Sequence, residues 1–82
     1  MIRVLFFAQL REDLGCSELT LDSVGVDKVS DVSNILLLQH PTWGVFLTKP
    51  NLRVAVNQAY AKADSPVSSG DEVAFFPPVT GG

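Results

Sequence analysis

The chain ends in Pro77-Pro78-Val79-Thr80-Gly81-Gly82, and the terminal carboxylate of Gly82 is the group best placed to do chemistry. Neither glycine carries a Cβ, so this backbone can pass through a channel too narrow for other residues. The same bareness leaves the final carboxyl open to attack or transfer. Pro77-Pro78 favours an extended, polyproline-like course and cannot pair as an ordinary strand. Six extended residues reach about 20 Å, far enough to enter another protein. A Gly-Gly end alone is a weak signal, since an ordinary frayed terminus looks the same. Joined to a stiff spacer and a small β-rich domain, it points to a carboxylate that is delivered to a partner.

Other reactive side chains read more plainly. Cys16 is the single cysteine, follows Gly15 in an expected loop, and is taken as a non-catalytic thiol. It can form neither an internal disulfide nor a thiolate cluster. His40 stands alone before Pro41, so no metal site is expected. Asp71-Glu72 has the look of an acid pair, but a turn followed by a solvated strand start accounts for it.

Composition narrows the classes further. An 82-residue chain points to one domain with a modest core. With 46% hydrophobic and 18% charged residues, the balance is that of a folded globular chain. The formal net charge of −3 argues against nucleic acid as a partner. The six basic residues, Arg3, Arg11, Lys28, Lys49, Arg53 and Lys62, lie scattered along the sequence. No apolar run nears the roughly 18 residues of a membrane span, and the start lacks a signal-peptide layout. A cytoplasmic domain without membrane contact is therefore expected.

The elements that must position the tail can be read in order. Ile2 to Ala8 is rich in β-branched and aromatic residues, which suits a strand. Ala8 to Leu14 predicts one helical turn that stops at Gly15. Glu18 to Asp22 alternates polar and apolar, as a half-buried strand does. Asp27 is the expected cap of a helix carrying Val29, Val32, Ile35 and Leu36 inward, ending near His40 because of Pro41. Helix formers are scarce in its first turns, so tertiary packing must hold it. Leu52 to Asn57 predicts a strand, Asn57-Gln58 a turn, and Ala59-Tyr60-Ala61 a brief strand. Glu72 to Phe76 is the last strand, halted by Pro77-Pro78. Strands with one main helix predict an α+β sheet covered on one face.

Alternation also sorts the two faces of that sheet. The charged residues Arg3, Arg53 and Glu72 mark the side the helix leaves open. Leu5 and Phe7 share that side with Arg3, and Ala74 and Phe76 share it with Glu72. If the first and last strands are neighbours, Phe7 and Phe76 form an apolar patch beside the tail, a surface suited to a partner. Cover by a loop, or by Trp43 and Phe46, is the alternative; those two are otherwise expected over one edge of the core.

Val4-Leu5-Phe6-Phe7-Ala8, Ala55-Val56-Asn57-Gln58 and the closing stretch from Gly70 to Gly82 resemble the MoaD family of ubiquitin-like sulfur carriers, the small subunits of molybdopterin synthase. The likeness is strongest at the two ends and weak from about Val24 to Asn51. It implies a β-grasp fold, a mixed sheet of four to five strands with one main helix, over residues 1–76, and an extended tail over residues 77–82. It implies that a partner adenylates Gly82 with ATP and that persulfide sulfur then displaces AMP to leave a thiocarboxylate. That sulfur would attack cyclic pyranopterin monophosphate in a pocket of a large subunit. The partners implied are that subunit, in a heterotetramer of two small and two large chains, an adenylyltransferase of the ubiquitin-activating kind, and a persulfide donor. The chain would be non-catalytic alone and bind no cofactor or metal. Gly81 and Gly82 are then the chemical site. Phe7, Tyr60, Phe76, Pro77, Pro78, Val79 and Thr80 are the partner-binding residues, with Tyr60 standing where the family usually has an apolar contact. A thiamine-pathway carrier and a ubiquitin-related protein modifier share the tail chemistry, although Phe-Phe-Pro-Pro-Val argues against the former. A plain interaction domain with an idle tail is the remaining alternative.

Overall fold

The first and last strands pair in parallel at the middle of one sheet, and the rest of the domain is arranged around them. The structure is a computed structural model and describes residues 1–78. Five strands, β1 (Ile2–Phe6), β2 (Glu18–Leu21), β3 (Arg53–Val56), β4 (Ala59–Ala61) and β5 (Glu72–Phe76), form a sheet in the order β2-β1-β5-β3-β4. β1 and β5 run parallel with Val4 opposite Val73 and Phe6 opposite Phe75. The other three pairings are antiparallel.

Alternation along β1 and β5 sends Ile2, Val4, Phe6, Val73 and Phe75 to one face, where all are buried. The helix α2 (Val29–Gln39) brings Val29, Val32 and Leu36 into the same core cluster, with Ile35 partly buried beside them. Trp43 completes this layer edge-on to Phe6, ring centroids 5.4 Å apart. It sits in a short turn of 3-10 helix, Pro41–Trp43, that leads into α3 (Gly44–Leu47). Neither piece is predicted from the sequence. Phe46 packs partly against the core, as expected. Trp43 covers the helix side of the sheet and leaves the opposite face open.

The segment after β1 is a complete helix, α1 (Ala8–Leu14), longer than the single turn expected. It takes over at Ala8, so β1 ends at Phe6. Ala8 adopts a positive φ of 56°, a conformation that costs an alanine about 1 kcal/mol or more and turns the chain sharply off the strand. Gly15 closes α1 in the left-handed region at φ 65°, donating its N–H to the carbonyls of Arg11 and Glu12.

The start of α2 differs from expectation. Asp27 does not cap it; Lys28 occupies that position, and the carboxylate of Asp31 accepts the backbone N–H groups of Asp27 (2.9 Å) and Lys28 (3.2 Å). Two first-turn donors are satisfied from outside the helix. Val29 N–H donates to the Ser65 carbonyl and Ser30 N–H to that of Ala63. The loop following β4 thereby replaces what poor helix formers cannot supply. The far end agrees with the sequence: His40 terminates α2 and Pro41 begins the next turn.

Asp31→Ala should therefore cost about 1 kcal/mol in urea unfolding, whereas Asp27→Ala should cost close to nothing. Equal losses would return the capping role to Asp27.

Candidate functional site

Because β1 and β5 are parallel, their C-terminal ends emerge together, and the aromatic residues there arrive on the same edge of the open face. Phe7 directly follows β1, is 45% exposed, and donates its N–H to the Phe75 carbonyl at 3.2 Å. Phe76 ends β5 and is half-buried. It faces Arg53 of β3 across the sheet. Tyr60 of the edge strand β4 is 81% exposed and reaches Phe76, with ring centroids 6.0 Å apart and tilted by 49°. Tyr60 and Phe76 thus form one aromatic unit, and Phe7 stands apart from it at the same end.

The register sorts this face into rows: Phe76 lies opposite Arg53 in the row nearest the tail, the middle row is apolar, and the far row is charged. Leu5, Ala74, Ala55 and Tyr60 form one continuous cross-strand row. Ala74 is buried although it lies on this face, which no helix covers. One row further from the tail, Arg3 lies opposite Glu72. Its Nε donates to Glu18 at 3.2 Å and its Nη1 to Glu72 at 3.4 Å. The hydrogen bond and charge of Glu18 raise the Arg3 pKa further, so the guanidinium stays cationic. Such exposed pairs add little stability, and their effect is to make one end of the face polar.

The β3–β4 connection aims Tyr60. Asn57 (φ 51°) and Gln58 (φ 69°) are both left-handed, as a two-residue hairpin turn of this twist requires. Asn57 also ties the turn to the start of β5. Its Nδ2 donates to Asp71 at 3.1 Å, its Oδ1 accepts the Glu72 N–H at 3.0 Å, and its own N–H donates to the Glu72 carbonyl at 2.8 Å. The Ser68 N–H donates to the other oxygen of Asp71 at 2.8 Å. These bonds, that from Ser68 first, hold the Asp71 carboxyl below its ordinary value.

Pro77 and Pro78 follow β5, half-buried and in neither helix nor strand. Pro78 borders two hollows. One, of about 650 Å³, is lined by Leu52, Arg53, Tyr60, Lys62, Phe76 and their neighbours. A smaller one of about 120 Å³ lies between α1 and α3 and includes Leu10, Phe46 and Leu52. Val79, Thr80, Gly81 and Gly82, which carry the expected chemistry, lie outside the described residues. Reading the basic residues as scattered misses one grouping, because Arg53 and Lys62 line the same hollow. The signal was available: with a turn at Asn57-Gln58, Arg53 and Lys62 fall at the open end of the same hairpin. Cys16 is half-buried, with its thiol directed at the Glu18 carbonyl, and belongs to neither hollow.

The characteristic sequence pattern of one family, described as the ThiS family, matches residues 4–82. The chain belongs to the ThiS family. Among its relatives, the molybdopterin synthase sulfur carrier subunit of Escherichia coli (strain K12) is 44% identical over 82 residues, covering 100% of both chains. The protein of the same name from Haemophilus influenzae is 43% identical, again covering 100% of both. In three dimensions this ThiS-family chain is similar to SAMP1 from Haloferax volcanii, with a TM-score of 0.81 and 31% identity, covering 99% of this chain and 98% of the other. The fold is the ubiquitin-like β-grasp of such carriers.

The Asp71 bonds give a pH signature. A carboxyl whose folded pKa is depressed contributes stability above its unfolded value, near pH 4, and loses it as pH falls through the folded value. Asp71→Asn should lower the urea midpoint at pH 7 and flatten its decline below about pH 4. An unchanged acid slope would contradict this assignment.

Proposed function

We propose that this chain is the sulfur carrier subunit of molybdopterin synthase and that it acts in the cytoplasm through Gly82. The observation that carries this reading is the match, over the full length of both chains, to the Escherichia coli sulfur carrier subunit. The aromatic face beside the root of the tail supports it, since a delivered carboxyl needs a docking surface next to it.

The chemistry follows from the electrophilicity of the carboxyl group. A free carboxylate is a poor electrophile, so an activating partner transfers AMP from ATP to Gly82 and releases pyrophosphate. A persulfide sulfur attacks the acyl carbon and expels AMP. Cleavage of the resulting S–S bond by a thiol leaves the thiocarboxylate. Its sulfur is an anionic nucleophile at neutral pH and attacks the pterin precursor in the pocket of a large subunit. Two loaded carriers supply the two sulfurs of the dithiolene, in an assembly of two small and two large chains. Gly81 keeps the approach free of side chains, and Pro77, Pro78, Val79 and Thr80 bind the partner along the way in. Phe7, Tyr60 and Phe76 make the contact that holds the carrier while its end reacts.

Intact-mass measurement after incubation with ATP, the activating enzyme and a sulfur donor should show the gain of one oxygen-to-sulfur exchange. Removal of Gly82 should abolish both that gain and molybdopterin formation while leaving the melting temperature unchanged. Product formed at the normal rate without Gly82 would refute the mechanism. Phe76→Asp should weaken association with the large subunit by about tenfold or more, as loss of an interface aromatic does. Calorimetric titration reads this directly, and unchanged affinity would move the docking surface elsewhere.

A further inference from the structure

The last residues paired between β3 and β4 are Val54 and Ala61. Arg53 and Lys62 are the next residue on each side of that pair, with Lys62 just past the end of β4, and both line the hollow beside Tyr60, Phe76 and Pro78. Like charges gathered at one site repel each other. Among the described residues, the ion pairs belong to Arg3 and Arg11, and neither Arg53 nor Lys62 is paired with a carboxylate. The chain has nine acidic residues and a net charge of −3, so acids to neutralise these cations were not scarce. Both side chains are exposed, and their hollow adjoins the aromatic pair and the root of the tail.

We propose that Arg53 and Lys62 form a carboxylate-receiving subsite, filled by an acidic side chain of the large subunit when that partner docks on Tyr60 and Phe76. The inference rests on the proposed sulfur-carrier function, which supplies the partner. A single pair of cations beside an apolar floor, on an acidic chain, suits one or two carboxylates of a protein surface. It does not suit the extended phosphate track of a nucleic acid. Charges at the edge of an interface act mainly on the rate of encounter and on salt dependence, while the buried aromatics hold the complex. The pair therefore orients the carrier as it approaches, so that the tail faces its pocket.

The test compares the wild-type chain with Lys62→Glu and with the Arg53→Glu/Lys62→Glu double variant, titrated calorimetrically against the large subunit at low and high salt. Lys62→Glu puts opposite charges in the same hollow, so the melting temperature of the isolated chain should not fall. The same substitution should weaken the complex, and the double variant should weaken it about tenfold at low salt. Wild-type affinity should fall with added salt, and that of the double variant should not. Wild-type affinity retained by the double variant, or wild-type binding indifferent to salt, would overturn the role of these cations while leaving the carrier function standing. No binding of the wild-type chain at any salt would overturn the carrier reading and this inference with it. NMR signals of the Arg53 and Lys62 side chains should not move when residues 79–82 are deleted. A shift would mean that the chain's own terminal carboxylate fills the subsite, and would overturn the assignment to a partner.

Discussion

The parallel pairing of β1 with β5 is the constraint on which the domain depends. Parallel neighbours cannot be joined by a tight turn, so everything from Phe7 to Asp71 must serve as the connection between them. That connection carries α2 across one face and places β2 and the β3–β4 hairpin on the two flanks. The pairing is extended at both ends by the Arg3 N–H to the Asp71 carbonyl and the Phe7 N–H to that of Phe75. It also fixes where the tail departs, because two strands that run the same way finish at the same edge. The exposed aromatics and the departure of the tail share that edge for this reason.

Around this centre, the weak local preferences are compensated by distant contacts. The first turn of α2 contains Val29, Ser30 and Asp31, and its backbone donors reach the 63–65 loop. That loop follows β4, the strand carrying Tyr60. The β3–β4 turn is in turn tied by Asn57 to Asp71 and Glu72 at the head of β5. One set of hydrogen bonds therefore stabilises the helix, and another sets the edge strand that carries Tyr60. The left-handed conformation of Ala8 belongs with these, since the chain must leave the sheet immediately after Phe7 to let that side chain stay exposed.

Much of this was legible in the sequence where local chemistry is decisive. Glu72 to Phe76 are the observed limits of β5 because Pro77 cannot continue the ladder, and Pro41 stops α2 at His40 for a similar reason. The two-face assignment of Phe7 and Phe76 needed only period-two alternation and one pairing. What was not legible depends on contacts remote in sequence. Asp27 reads as the cap from its position alone, and the role of Asp31 emerges only from the path by which the chain enters α2. The turn at Pro41–Trp43 and the helix Gly44–Leu47 exist because Trp43 has Phe6 to pack against, and no local preference announces them. The proximity of Arg53 and Lys62 follows from hairpin register and cannot be seen by counting charges along the chain.

The position of β5 has a mechanical consequence. Its final residue leads straight into the tail, and the strand is bonded along its length to β1 on one side and β3 on the other. A pull on the C-terminus is thus directed along the strand and loads both ladders in shear, so their bonds share the force and cannot open one at a time. Under the proposed function, a tail gripped by a partner is released by tugging the whole domain, without unravelling it from the end. Had the tail grown from β2 or β4 at the margin of the sheet, each withdrawal would strain a single ladder.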